Sequence, residues 1–468
     1  MPAPDWGGGY PVAESYLETA QPLQGPEAID LALSVAGVSP PPRASGFRYA
    51  ELGCGTGFTL AGLAALHPEG RFLGVDFMPE HVARARRLAA EAGLENLKFI
   101  EASFEDLAEA PRAHDPEPFD YIAMHGVWTW VSPENRARLV AILGRWLAPG
   151  GVLYTGYAAA AGWAETAAIR RIFREAPRPP GRPTFEAARA AVDAWLAAGG
   201  GDARTAEVWA KLSKLPDRYL AHDLGATHAS AAWPAEVAEA LAPAKLAFAA
   251  PADLIEQFDV LRFDADAVAF VRKAVAEGWG EAARDLMSRR GFRVDLFARG
   301  APRLTEAEQA ARLAALRIAP WPPRLAHERR EAEVHGARPG FGPETAARVA
   351  AGFADGPATV AEFAERACLP PRQAAQAALL GIARREIAAL SPPEAIAARA
   401  ALPGLLAALR ARFARGEPVP GAPSPITGRL VPLAPEEARA LASGAPEEAE
   451  MREGLARLGL LDPAPQTG

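Results

Sequence analysis

The stretch Tyr49-Ala-Glu-Leu-Gly-Cys-Gly-Thr-Gly57 ends a short apolar run with an acidic residue and three alternating glycines, just where helix-type residues begin. Glycine at 53, 55 and 57 removes Cβ from one side of the turn and permits positive φ, while free N–H groups at the next helix start attract negative ligand groups. The stretch therefore reads as strand, ligand-cradling loop and helix, and it points to a nucleotide-like cofactor. The dinucleotide fingerprint G-x-G-x-x-G spaces its last two glycines by three, but Gly55 and Gly57 are two apart and Glu51 stands directly before the turn. An acidic residue there suits an ammonium better than a pyrophosphate.

The pattern E-x-G-x-G-x-G resembles motif I of class I S-adenosylmethionine (SAM)-dependent methyltransferases; SAM carries an ammonium, a carboxylate and a sulfonium at its amino-acid end. Outward from the motif, Arg71-Phe-Leu-Gly-Val-Asp76 reads as a second apolar strand ending in a carboxylate, about twenty residues beyond the glycines, where an acidic side chain can accept ribose hydroxyls. Met78-Pro-Glu-His-Val82 opens a helix with Pro79 in its first turn, Val82, Ala85, Ala89 and Ala92 form its apolar face, and Gly93 stops it. A third strand spans 97–100. Its exit, Glu101-Ala-Ser-Phe104, matches the place where the family reads adenine. The resemblance thus implies SAM as cofactor, held by Glu51, Gly53, Gly55, Gly57, Asp76, Phe77, Ser103 and Phe104.

A fourth strand, Phe119 to Met124, leads to His125-Gly-Val-Trp-Thr-Trp-Val131. The next helix starts at Ser132-Pro133-Glu134, with serine as cap and proline in the first turn; Leu139, Val140, Leu143, Trp146 and Leu147 give it a buried stripe. Residues 151–157 read as a fifth strand. Alternating strands and helices with short loops predict an α/β, Rossmann-like open sheet, mostly parallel, whose ligands sit at the carboxyl ends of the strands. Gly53–Gly57, Asp76, Ser103 and His125 all fall at those ends.

The 468 residues exceed one such domain, and the net charge of −7 makes no electrostatic case for nucleic acid. No uninterrupted apolar run is long enough to cross a membrane, and the N-terminus lacks the basic and apolar regions of a signal peptide, which predicts a cytoplasmic protein without membrane insertion. Cys54 and Cys368, the only two cysteines, exclude a disulfide framework; Cys54 reads as a small loop residue. His222, Asp223 and His228 match no established ligand spacing, so no metal is expected.

Composition and pattern divide the chain at about 45, 163 and 330 into an N-terminal segment (1–45), a strand–helix domain (46–163), a mainly helical domain (164–330) and a small C-terminal domain (331–468); the family resemblance implies that the first caps the active site, the second binds SAM and the third is a regulatory or substrate domain. Prolines at 320, 322 and 323 mark the last boundary. Within the last part, Thr359–Glu365, the turn Leu369-Pro-Pro371 and a helix from Arg372 have winged-helix-like spacing, but the second helix is alanine-rich and poor in base-reading groups, which favours packing or protein docking. Residues 416–436 read as a proline-rich loop.

Further residues narrow the resemblance. Tyr10-Pro with Ser15-Tyr16, His125 to Pro133, Gly156-Tyr157, Gly162-Trp163, Ala221-His-Asp-Leu224, Phe258 and Leu286 to Arg293 are similar to methyltransferases that carry a methyltransferase regulatory domain, among them bacterial protein-lysine methyltransferases. This implies transfer to a protein side-chain amine; a small-molecule acceptor and a catalytically silent SAM-binding protein are the alternatives. A homodimer is compatible with it. Methyl transfer needs alignment and exclusion of water more than an acid, a lysine must first lose its proton, and aromatic faces can hold an ammonium. The acceptor-site candidates are His125, Trp128 and Tyr16, with Trp130, Tyr157 and Trp163 alongside.

Overall fold

The computed structural model describes residues 18–44, 46–109, 117–176, 185–224, 226–321, 343–399, 402–444 and 449–461. Strand β1 (Phe47–Leu52) lies between β2 (Gly70–Asp76) and β4 (Phe119–His125), β2 continues to β3 (Leu97–Glu101), and β4 to β5 (Leu147–Ala158); all these pairs are parallel. The helices between them are α1 (Pro26–Val35), preceding β1, then α2 (Phe58–Leu66), α3 (Pro79–Glu91), α4 (Phe104–Glu109) and α5 (Pro133–Trp146). Ser132 caps α5 as expected, its Oγ accepting from Asn135 N at 3.2 Å.

The region expected to be helical also contributes two strands. β6 (Ala247–Pro251) and β7 (Phe292–Ala298) extend the sheet to seven strands in the order β3-β2-β1-β4-β5-β7-β6, with β7 antiparallel to both neighbours. β7 alternates apolar and polar residues from Phe292 to Leu296, but its polar side chains Arg293 and Asp295 are buried, paired with each other. The fold is therefore a Rossmann-like mixed sheet, and the intervening region, including α6 (Ala265–Ala276) and α7 (Gly280–Ser288), is mainly helical.

Alternating side chains on each strand feed two cores. Tyr49, Tyr121 and Tyr154 join the cluster under α1, α2 and α3, and Ala50, Ile122 and Leu153 join the one under α5. Helix α2 is apolar all round and fully buried, so the sheet alone cannot cover it. The cover comes from the C-terminal part. The proline-rich run expected as a loop forms a hairpin of β11 (Gly421–Ser424) and β12 (Arg429–Pro432), and Leu430 approaches Gly62 of α2 so closely that a Cβ there would lie 2.9 Å from it.

Before that hairpin, β8 (Arg317–Pro320) is the middle strand of a three-stranded antiparallel sheet with β9 (Ala358–Thr359) and β10 (Ile387–Leu390). It accompanies α8 (Val360–Arg366) and α9 (Pro371–Ala383), and the small unit thus takes its middle strand from before the proline boundary. Helix α9 buries Ala374, Ala377, Ala378 and Ile382, a packing face. The last helix to bear on the site is α10 (Leu402–Ala414).

Candidate functional site

The glycine loop is tied down by backbone. Gly53 N and Cys54 N both donate to Val75 O, at 2.8 and 2.9 Å, and φ is +74, +54 and +70° at Gly53, Gly55 and Gly57. A Cβ on Gly53 would meet Val127 at 2.6 Å and one on Gly57 would meet Phe99 at 2.5 Å, whereas one on Gly55 would meet no atom of the described residues within 4 Å. The outer two glycines thus serve packing. Gly55 leaves the bare surface that a ligand can approach.

Beneath the loop, Glu51 is 5 % exposed and its Oε2 has no hydrogen-bond partner among the described residues. Burial pushes its pKa up to about 8, with the neighbouring Gln24 amide opposing and the charge of Asp76 adding to the rise. Gln24 is completely buried, and apart from its approach to Glu51 both polar atoms of its side chain lack partners among the described residues. Orphaned buried groups of this kind are costly. A carboxylate and an amide beside a bare glycine match the ammonium and carboxylate of an amino-acid end, so the residues present fit SAM. Nothing in the sequence around Gln24 marks it.

At the end of β2, Asp76 is already engaged: Oδ2 accepts from Gly55 N at 2.8 Å, Oδ1 accepts from Met78 N at 2.9 Å, and His81 Nδ1 lies 3.3 Å from Oδ1. Its carboxylate orders the loop, with remaining lone pairs for a hydroxyl. The Ser103 hydroxyl caps a helix. Its Oγ accepts from Asp106 N at 3.1 Å, and both its N and its Oγ donate to Asp106 Oδ2, at 2.9 and 2.7 Å, which caps α4. The spacing Ser103-x-x-Asp106 is the signal for it. Phe77 and Phe104 are half-buried, Phe104 against the cluster under α5. Cys54 is buried, and burial raises its pKa, as befits a loop residue without nucleophilic work.

His125 is the last residue of β4, not the first beyond it, and the register Glu51 opposite Ala123 sets it level with Gly53. Its Nδ1 lies 3.1 Å from Tyr154 Oη, its ring stacks on that of Tyr154, and Phe292 stands 5.4 Å away centre to centre. Burial lowers its pKa to about 4. The imidazole is therefore neutral at ordinary pH, a potential proton acceptor.

The aromatic group divides in two. Trp128, 4 % exposed, belongs to the core under α5, with the Arg136 guanidinium 5.7 Å from its ring and Arg136 Nε donating to its carbonyl. Tyr157 is completely buried, and its hydroxyl donates to Asp295 Oδ2 at 2.5 Å. Neither offers a free face, because residues alternating along a strand or tight turn fall into the core as readily as onto its rim. Trp130 and Trp163 remain half-buried, their rings 5.8 Å apart at 51°, and the Arg170 guanidinium covers Trp163 at 3.5 Å. Tyr16 lies outside the described residues, as do Tyr10 and Ser15. Among the described residues no three His, Cys, Asp or Glu side chains are grouped to hold a metal ion, and no helix is long and apolar enough to cross a membrane.

Comparison with known proteins agrees with this geometry. Residues 50–151 match the family described as methyltransferase domain, and residues 216–299 match the predicted methyltransferase regulatory domain. The chain is 30 % identical over 203 residues to trans-aconitate 2-methyltransferase of Methylobacterium nodulans, covering 42 % of this chain and 70 % of that protein. It is 29 % identical over 321 residues to an uncharacterized protein of Synechocystis sp., covering 67 % of this chain and 63 % of the relative's length. Among solved structures, PKMT2 from Rickettsia typhi shares the fold over 97 % of this chain and 94 % of its own, at TM-score 0.68 and 14 % identity. The same protein in complex with AdoHcy gives TM-score 0.67 at 15 % identity, over 94 % of this chain and 91 % of its own.

Proposed function

We propose that this chain, which belongs to the SAM-dependent methyltransferases carrying a methyltransferase regulatory domain, transfers a methyl group to a side-chain amine of a protein, with lysine as the acceptor. The observation that carries the cofactor part is the neighbouring buried pair Glu51 and Gln24, whose polar atoms are left short of partners among the described residues, beside the bare face of Gly55. When bound, SAM supplies an electrophilic methyl on a sulfonium. Glu51 and Gln24 hold its amino-acid end, Gly55 admits the backbone approach, Asp76 orders the loop and accepts a ribose hydroxyl, and Phe77 and Phe104, with the backbone around Ser103, flank the adenine.

On the acceptor side, neutral His125 orients the amine by accepting a hydrogen bond from it and relays onward the proton that an ammonium must lose. Its Nδ1 is anchored by Tyr154, which leaves Nε2 for that task. The half-buried Trp130 offers an aromatic face to the cation, braced by Trp163, one face of which Arg170 already covers, with Tyr16 from the N-terminal segment as a further candidate. Trp128 supports this edge from beneath as a packing residue. The amine reading is supported by this uncharged imidazole at the sheet edge, by the half-buried aromatic pair that follows it in the chain, and by the fold shared with PKMT2 from Rickettsia typhi. A cytoplasmic setting goes with it.

A small carboxylate acceptor is the second reading, favoured by the identity with trans-aconitate 2-methyltransferase. Methyl transfer from radiolabelled SAM to polylysine or to trans-aconitate, with the product identified by mass spectrometry, tests both. Label on lysine supports the first, and label on trans-aconitate alone replaces it with the second.

A further inference from the structure

Glu18, the first described residue, is bonded both to the cofactor loop and to the C-terminal part of the chain. Its Oε1 accepts from Thr56 Oγ1 at 2.5 Å, and Thr56 is the residue between Gly55 and Gly57. Its Oε2 lies 2.5 Å from Arg412 Nη2, and Arg412 Nη1 lies 3.4 Å from Oε1, a two-pronged pair between residues 394 positions apart. The two side chains are only 9 and 10 % exposed. The Arg412 guanidinium also stands 5.7 Å from the ring of Phe58, the first residue of α2, and its Nε is 3.4 Å from Glu417 Oε2.

From Glu18 the backbone runs along the cofactor loop toward β1. Gln21 N donates to Thr59 Oγ1 and Thr59 Oγ1 donates to Thr19 O, each at 3.3 Å. Tyr49 Oη donates to Gln24 O at 2.7 Å, which sets Gln24 beside Glu51. The C-terminal hairpin presses on the same strip, since a Cβ on Gly421 would come within 2.5 Å of Ala20. Residues 18–24 thus form a strap fixed at Thr56, Thr59 and Tyr49.

We propose that Arg412 of α10 fastens this strap through Glu18, so that the C-terminal part of the chain governs how tightly the cofactor is retained; this rests on the SAM reading above. Arg412 is a positioning residue, touching the loop only through Glu18 and Phe58. A buried bidentate pair fixes geometry as well as charge, and loss of the arginine strands a buried carboxylate next to the loop. Ordering of the strap in advance removes a cost from binding.

The test uses the full-length protein with S-adenosylhomocysteine as probe. Calorimetry gives its Kd for wild type, Arg412→Met, Arg412→Lys, Glu18→Gln and the Glu18→Gln/Arg412→Met double variant, and hydrogen exchange monitors residues 19–24 without ligand. Arg412→Met is expected to raise Kd at least tenfold and to speed exchange in 19–24, Arg412→Lys to do so less, and the double variant to fall well short of the product of the single effects. Melting temperatures identify folded variants, and Arg412→Lys decides the matter where Arg412→Met does not fold. Wild-type binding with unchanged Kd and unchanged exchange in the folded Arg412 variants overturns this proposal alone. Absence of binding by the wild type overturns the cofactor reading together with it.

Discussion

His125 and Tyr154 meet at the carboxyl edge of adjacent parallel strands, Nδ1 3.1 Å from the phenolic oxygen, with the rings inclined by 27°. The phenol therefore fixes the imidazole's orientation, and burial keeps it uncharged above about pH 4. Turnover with an amine acceptor should accordingly rise with pH along the amine's own ionisation, with no inflection from His125 between pH 5 and 8. Tyr154→Phe should lower kcat by about 10- to 100-fold through loss of orientation, leaving the Kd for S-adenosylhomocysteine unchanged. Turnover of folded His125→Ala equal to that of the wild type throughout this range would remove its proposed role.

Glu51 makes a prediction of opposite sign for fold and ligand. Its folded pKa of about 8 exceeds the ordinary 4.5, so the native state binds the proton more tightly, and its ionisation weakens the fold as pH rises from 4.5 through 8. Glu51→Gln should stabilise the ligand-free protein at pH 8 by on the order of 2 kcal/mol and weaken S-adenosylhomocysteine binding at least tenfold. The wild type should release a proton on binding at pH 7, because the ligand's ammonium favours the ionised carboxyl. Calorimetry in buffers of different ionisation enthalpy measures that proton, and a heat independent of buffer would refute it.

A second buried cluster sets the acid and alkaline limits of stability. His67 Nε2 lies 3.0 Å from Glu27 Oε2, out of the ring's hydrogen-bonding direction, with Arg43 at 3.5 Å and Arg399 at 3.6 Å from the other oxygen. Despite the opposing pull of burial, these cations hold Glu27 down at about 2, and Glu27 raises His67. The carboxylate's contribution is present above pH 4.5 and is lost as pH falls toward 2. The imidazole's contribution is present below its ordinary 6.5 and is lost as pH rises through its elevated folded value. Asp30, raised to about 6 by burial despite Arg43, works against the pair between pH 3.8 and 6. The melting-temperature difference between wild type and His67→Ala should therefore shrink from pH 6 to pH 9; a constant difference would mean that His67 acts by packing alone.

The tryptophans at the edge separate binding from stability. Trp128→Ala removes a core indole and should cost about 3–5 kcal/mol in denaturant unfolding. Trp130→Ala and Trp163→Ala should cost less and raise KM for a polylysine acceptor several-fold, without altering cofactor affinity. Should Trp128→Ala prove as stable as wild type and Trp130→Ala leave KM untouched, the acceptor edge would lie elsewhere.

The features legible in the sequence are those governed by local chemistry. The glycine triplet, Asp76 at a strand end, Pro79 and Ser132 at helix starts and His125 at the sheet edge all reflect backbone geometry or capping, and the structure places them in those positions. The features that escape a sequence reading depend on contacts distant along the chain. Strand β7 carries Arg293 and Asp295, which read as solvent-facing until Asp285, Glu281 and Tyr157 are seen around them. Gln24 and Glu18 gain meaning only beside Glu51 and Thr56. Ser103 carries a second, short-range signal, the helix cap with Asp106, beside its family position.

The antiparallel pairing of β5 with β7 also sets an order of assembly. When the ribosome has released the five parallel strands, β5 is an edge of 12 residues whose outward N–H and C=O groups have no partner, and the segment that will pair with it has yet to be made. An open edge of that length invites pairing with another chain. Synthesis must pass through the whole helical region before Phe292–Ala298 can close it, so a chain cut after residue 163 should precipitate, and the full chain passes through an adhesive nascent state that chaperones have reason to guard.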